Sequence, residues 1–231
     1  MKEQKNEDLI SQRIAEKSGI KQIVYKNTYD TFQDVKKISK KIILDIRRKN
    51  SKKNHKIAIE YKDRGEFSSE MKIAGDLLIM TMHSNVFEFS KHHEIMKTSY
   101  VKEDPLRSYC GIIHIYNFLS DSFKYNRLDD VGYLIARIFI NKEFHYFVEG
   151  KRQIGFLYND FINKIIDKDA IKKIVESAIL YCLDFDLLTP SYDDVKEVSV
   201  NEMTLNILNM KFKTGKRLGF KFQLDHEKKI I

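Results

Sequence analysis

The chain has 231 residues, 42% hydrophobic and 32% charged, with two Pro, nine Gly, two Cys and no Trp. That length and apolar content build one or two globular domains and exclude collagen-like, proline-rich and broadly disordered chains. Cys110 and Cys182 stand far apart with no CxxC pairing, which excludes a disulfide scaffold and leaves the formal charge of +8 as the unusual feature.

Dividing the chain locates that charge. Residues 1–34 are neutral, 35–56 carry a net +9, 57–210 a net −6 and 211–231 a net +5. A compositional preference for Lys would spread evenly, so two basic segments flanking an acidic body are layout. No signal-peptide-like apolar stretch opens the chain, and the longest apolar runs, Leu77–Met80 and Ala178–Leu183, fall far short of the ~18 residues that cross a bilayer. A cytoplasmic protein without membrane insertion is expected.

Residues 1–27 carry weak helical periodicity amid many charges and read as a partly ordered segment preceding a single α+β domain over 28–231. From Thr31, a plausible N-cap, the residues Phe32, Val35, Ile38, Ile42 and Ile46 recur every three or four positions and predict an amphipathic basic helix over 31–48. Lys36, Lys37, Lys40, Lys41, Arg47 and Arg48 occupy its polar side, and Lys52 and Lys53 follow. Alternation of Ile57, Ile59 and Tyr61 with Glu60 and Lys62, then of Phe67, Met71 and Ile73 with Glu70 and Lys72, predicts a hairpin whose second strand bends at Gly75 and continues. Its register is expected to set Glu60 opposite Glu70, and VFEF at 86–89 offers a further short strand.

Asp104 and Pro105 resemble a helix start, and the spacing of Tyr109, Ile112, Ile113, Tyr116, Leu119 and Phe123 predicts a helix over 109–123, with a strand as the alternative. VGYLIARIFIN and FHYFVEGK predict a second hairpin over 131–151 that turns at Asn141-Lys142-Glu143 and sets Glu149 opposite Ile135, helices are expected near 153–166 and 169–184, and a third, basic hairpin over 205–224 turns at Thr214-Gly215-Lys216. The sum is an antiparallel sheet built from β-hairpins packed against several helices.

Function is read from the charge. In the third hairpin Lys213 falls opposite Arg217, an arrangement that favours an anion between them. Lys36, Lys37, Lys40, Lys41, Arg47, Arg48, Lys52 and Lys53, with Lys211, Lys213, Lys216, Arg217 and Lys221, are therefore candidate contacts to RNA, DNA or a ribonucleoprotein in a non-enzymatic protein. One alternative is a ligand-sensing or homo-oligomeric scaffold domain with an apolar pocket between the hairpins and the 105–124 segment. Another is a metal-dependent nuclease, in which Asp130 and Glu149 hold a cation beside Lys151. Glu-x-Lys occurs five times in this chain, which makes the Glu149-Gly150-Lys151 match weakly specific. His92 and His93 lack the spacing that sets two imidazoles on one helix face, and no phosphate-binding glycine loop occurs, so no metal or cofactor is expected.

Overall fold

The computed structural model describes residues 2–51, 57–150, 154–155 and 160–209. Helices α1 (Lys2–Arg13) and α2 (Gly19–Asn50) run into one another through a π-helical turn at Ile14–Ser18. The helix thus extends far upstream of the predicted start at residue 31. Thr31 is not its N-cap but lies inside it, donating its hydroxyl to the Asn27 carbonyl at 2.8 Å, as Thr28 does to Val24 at 2.7 Å. These small polar residues, with Val24, form the buried side upstream of Phe32, which is why the apolar stripe fades there while the helix continues.

Strands β1 (Ile59–Asp63), β2 (Ser68–Ile73), β3 (Asp76–Met82), β5 (Tyr109–Leu119), β6 (Tyr133–Ile140) and β7 (Tyr146–Gly150) form an antiparallel sheet in chain order. The short strand β4 (Phe87–Glu88) pairs with β5. The fold is α+β, with the antiparallel sheet and helices that the patterning predicts. Its details depart from the sequence reading in several further places.

Chain direction reverses at Ala74-Gly75, where Ile73 pairs with Asp76, so β2 does not bend and continue but returns as β3. Ala74 takes φ 54, the left-handed conformation that such a tight turn demands. Residues 109–119 form the central strand β5, not a helix, and only Ser120–Lys124 (α4) are helical. Asp104 does cap a turn, accepting from the Leu106 N–H at 3.0 Å, but that turn is a 3-10 element over Pro105–Ser108. From Tyr109 to Ile113 β5 is buried on both sides, which erases over that stretch the alternation that marks a half-wet strand.

Between 160 and 167 the chain is turn and bridge, with Ile165 paired to His145, where the helix near 153–166 was expected. Val200–Asn209 is a helix, so residues 205–209 are not the first strand of the basic hairpin, whose remaining residues, 210–224, lie outside the described residues. The helix expected over 169–184 is present as α5 (Lys168–Leu183), capped by Asp167 accepting from the Ala170 N–H at 2.7 Å. Its stripe of Ile171, Ile174, Val175, Ala178 and Cys182 is buried as the spacing predicts.

α2 and α5 cover one face of the sheet. Phe32, Val35, Ile42 and Ile43 of α2 and the α5 stripe meet Met71, Leu78, Met80, Ile113, Ile115, Ile135 and Ile138 in the main core. Each side chain of this size is worth about 1.5–3 kcal/mol when fully buried. On the opposite face a cap formed by a 3-10 turn (Glu94–Lys97) and α3 (Ser99–Glu103) covers Cys110, Ile112, Phe139 and Phe147 with Ile95, Tyr100 and Val101. Among the described residues the rest of that face has no such cover. Beyond α5 come two more helices, α6 (Tyr192–Val195), which is exposed, and α7 (Val200–Asn209), exposed over Val200–Thr204. Among the described residues no helix is long and apolar enough to cross a membrane.

Candidate functional site

The outward face of α2 carries the predicted cations, with one exception. Lys37, Lys40, Lys41, Arg47 and Arg48 are exposed, and at 1.5 Å per residue they span roughly 16 Å of helix on the side opposite Phe32, Val35 and Ile42. Lys36 does not belong with them. Its side chain is buried between Phe32 and the tip of the first hairpin, pairing with Asp63 at 2.7 Å and donating to the Gly65 carbonyl at 2.8 Å. That hydrogen bond holds the Asp63 carboxyl below its usual range. Lys36 is therefore a structural tie between α2 and the β1–β2 turn, correcting its assignment to the anion-binding set.

The remaining cations differ in what already neutralises them. Lys37 lies 3.6 Å from Asp34 and Arg48 3.2 Å from Asp45, whereas Lys40, Lys41 and Arg47 make no salt bridge among the described residues. Lys52 and Lys53, and the second group, Lys211, Lys213, Lys216, Arg217 and Lys221, lie outside the described residues.

The first hairpin pairs charges of opposite sign. Its register sets Glu60 opposite Lys72 and Lys62 opposite Glu70, two residues from the expected register, so Glu60 and Glu70 do not face one another there. Arg64 reaches Glu70 at 2.9 Å. Between this wet face and α4 lies a depression of about 250 Å³ lined by Glu60, Lys62, Arg64, Glu70, Lys72, Leu77, Ser120, Phe123 and Lys124; it lies between the first hairpin and the end of the 105–124 segment, where an apolar pocket is anticipated, but charged side chains of both signs make up most of its lining.

The second hairpin closes over five residues, not three, with Ile140 opposite Tyr146 and Arg137 opposite Glu149. Arg137 Nε donates to Glu149 at 2.8 Å, and His93 stands 3.8 Å from the same carboxylate. Asp130, seven positions before Arg137, is committed elsewhere: it accepts from the Ser122 hydroxyl at 2.5 Å and pairs with Arg127 at 2.9 Å, with both ion-pair side chains more than nine-tenths buried. The structure thus does not bring Asp130 to Glu149, and Lys151 lies outside the described residues. Among the described residues no group of three His, Cys, Asp or Glu side chains is placed to hold a metal.

Two groupings escape sequence reasoning. Across four adjacent strands Thr81, His114, Arg137 and Glu149 stand in one row on the uncovered part of the sheet. Burial lowers the His114 pKa, helped by Arg137 and His83, so its imidazole favours the neutral form. This row becomes visible only when 109–119 is read as a strand. The second grouping fastens the cap: Tyr100 donates to Glu143 at 2.7 Å, Arg107 to Glu143 at 3.1 Å, and Asn141 to the Tyr100 oxygen at 2.9 Å. Burial and the Glu143 carboxylate push the Tyr100 hydroxyl well above its ordinary pKa.

Compared with known proteins, the chain matches no family model, no curated protein and no solved structure.

Proposed function

We propose that the protein is a non-enzymatic, cytoplasmic binder of a polyanion, RNA, DNA or a nucleoprotein assembly, through the outward face of α2 and the basic segment over 211–231. The observation that supports this reading is the cluster of exposed Lys40, Lys41 and Arg47 that make no salt bridge among the described residues, flanked by Lys37 and Arg48 on the same side of the helix. Such a stripe matches a phosphate backbone in sign and extent, and binding releases counterions from it. The neutral Arg137–Glu149 and Arg127–Asp130 pairs offer no comparable surplus.

The test is fluorescence anisotropy of labelled single- and double-stranded oligonucleotides at several salt concentrations. Affinity is expected to fall with salt, and Lys40→Glu/Lys41→Glu/Arg47→Glu to lower the slope of log K against log salt by about 0.7 per lost contact on single strands and about 0.9 on duplex. Lys36→Met, which removes a buried cation, leaves that slope unchanged. Affinity that is indifferent to salt, or that survives the triple reversal, overturns the reading of this helix face.

A further inference from the structure

The segment after α5 has an unusual surface. Every residue from Asp186 to Thr204 is exposed. Residues 184–204 hold six carboxylates and a single basic side chain, Lys196. Apolar side chains are interleaved with them: Leu188 is 63% exposed, Tyr192 80%, Val195 54% and Val200 84%. The backbone is nevertheless organised, because Ser191 accepts from the Asp194 N–H at 3.3 Å, and Ser199 and Glu202 cap one another reciprocally at 3.1 and 3.2 Å. An ordered acidic arm with this much apolar surface in water is a surface built for a partner.

The complement is present in the same chain. The outward face of α2 presents Lys37, Lys40, Lys41, Arg47 and Arg48 around Leu44, itself 53% exposed. Sign and pattern match: a cationic face with an apolar centre against an anionic arm with apolar anchors. Because the arm is exposed from Asp186 to Thr204, that stretch does not cover α2 of its own molecule.

We propose that the arm over 184–204 docks on the outward face of α2 of a second copy of this chain, and that the exchange is reciprocal. A two-fold arrangement makes both contacts identical and closes the assembly as a dimer. Two arms and two helix faces together supply the ~20–30 residues per side that a stable interface of standard size requires. The inference uses the same face of α2 as the polyanion reading but does not depend on it, and because no nucleic acid enters its test the two fail separately.

The experiment is sedimentation velocity on the full chain at low and high salt. The wild type is expected at twice 27.4 kDa at low salt and to dissociate near 1 M salt, where the screening length falls to about 3 Å. Asp193→Lys/Asp194→Lys and Lys40→Glu/Lys41→Glu each weaken self-association at least tenfold, while circular dichroism stays that of the wild type, since all four side chains are exposed. Mixing the two variants restores the dimer, because each arm then meets a helix face of opposite charge. A wild type that is monomeric at every salt overturns the proposal. So does a dimer that ignores either reversal, or a mixture that stays monomeric while the four substitutions in one chain restore wild-type behaviour, which would place the arm on its own α2.

Discussion

Gly111→Ala probes how closely α2 approaches the sheet. A Cβ on Gly111 would stand 2.1 Å from Thr28 Oγ1 and 2.7 Å from Thr28 Cβ, distances no real pair of atoms maintains. The Thr28 side chain is fully buried and its hydroxyl is tied to the Val24 carbonyl at 2.7 Å, so rotation offers little relief. In an open strand interior the same substitution gains roughly 0.5–1 kcal/mol, because Gly loses more backbone freedom on folding. Here overpacking, typically about 1–3 kcal/mol, outweighs that gain and reverses the sign. A net loss of about 1 kcal/mol is expected, a fall in Tm of roughly 2–4 °C at this chain length. Urea denaturation followed by far-UV circular dichroism measures it. Thr28→Gly, which removes the obstructing atoms, should make the double variant less destabilised than the sum of the two single variants by about 1 kcal/mol or more. If Gly111→Ala is as stable as the wild type, or more stable, the close helix–sheet contact is refuted.

Ala74→Gly relieves an L-residue held at φ 54 in the β2–β3 turn, and a gain of about 0.5–1 kcal/mol is expected in the same denaturation assay. Asn141→Ala strips the buried side chain whose Oδ1 accepts from the Glu143 and His145 N–H groups and whose amide donates to Tyr100. With about 1–3 kcal/mol for each buried partner left unpaired, at least ~3 kcal/mol should be lost, and hydrogen exchange should accelerate over the cap at 94–108. His114, whose folded pKa is lowered, binds fewer protons than the unfolded chain below its ordinary value of 6.5. Its stabilisation is therefore complete above about pH 6.5 and is lost as pH falls through and below that value; His114→Phe should flatten this part of the stability–pH curve, and an unchanged slope counts against a desolvated imidazole.

What was legible in the sequence followed from which physical signal each element leaves. α5 was readable because one of its sides is buried and the other wet, so Ile171, Ile174, Val175, Ala178 and Cys182 repeat at helical spacing. β5 was misread because Cys110, Ile112, Ile113 and Ile115 are buried on both faces, leaving no alternation to set against the helical spacing. Both hairpins were recognised, yet both registers were off by two residues. A slip of two keeps every side chain on its own face, so apolar patterning cannot detect it and turn chemistry alone decides. Gly65 at φ 100 and Phe144 at φ 61, with Asn141 accepting across the second turn, make those decisions. Lys36 was grouped with its charged neighbours although it stands four residues after Phe32 and three before Ser39, both buried, a position on the helix surface that turns it inward. The exposed Lys37, Lys40, Lys41, Arg47 and Arg48 were placed correctly from the same helical spacing.

The strands pair in the order in which they occur along the chain, and the long helix that supports them precedes them all. During synthesis α2 is therefore complete before any of the surface that will bury Phe32 and Val35 exists. Each new strand can add to the edge left by its predecessor without threading or waiting for a distant segment, so loop-closure cost stays small at every step. The apolar side of α2 is progressively covered as the edge advances, and α5, the last helix of the main core among the described residues, seals it. A ribosome stalled before residue 168 would hold a nearly finished sheet with an open seam beside α2, and it is at that seam that a chaperone or an aggregating neighbour would first gain purchase.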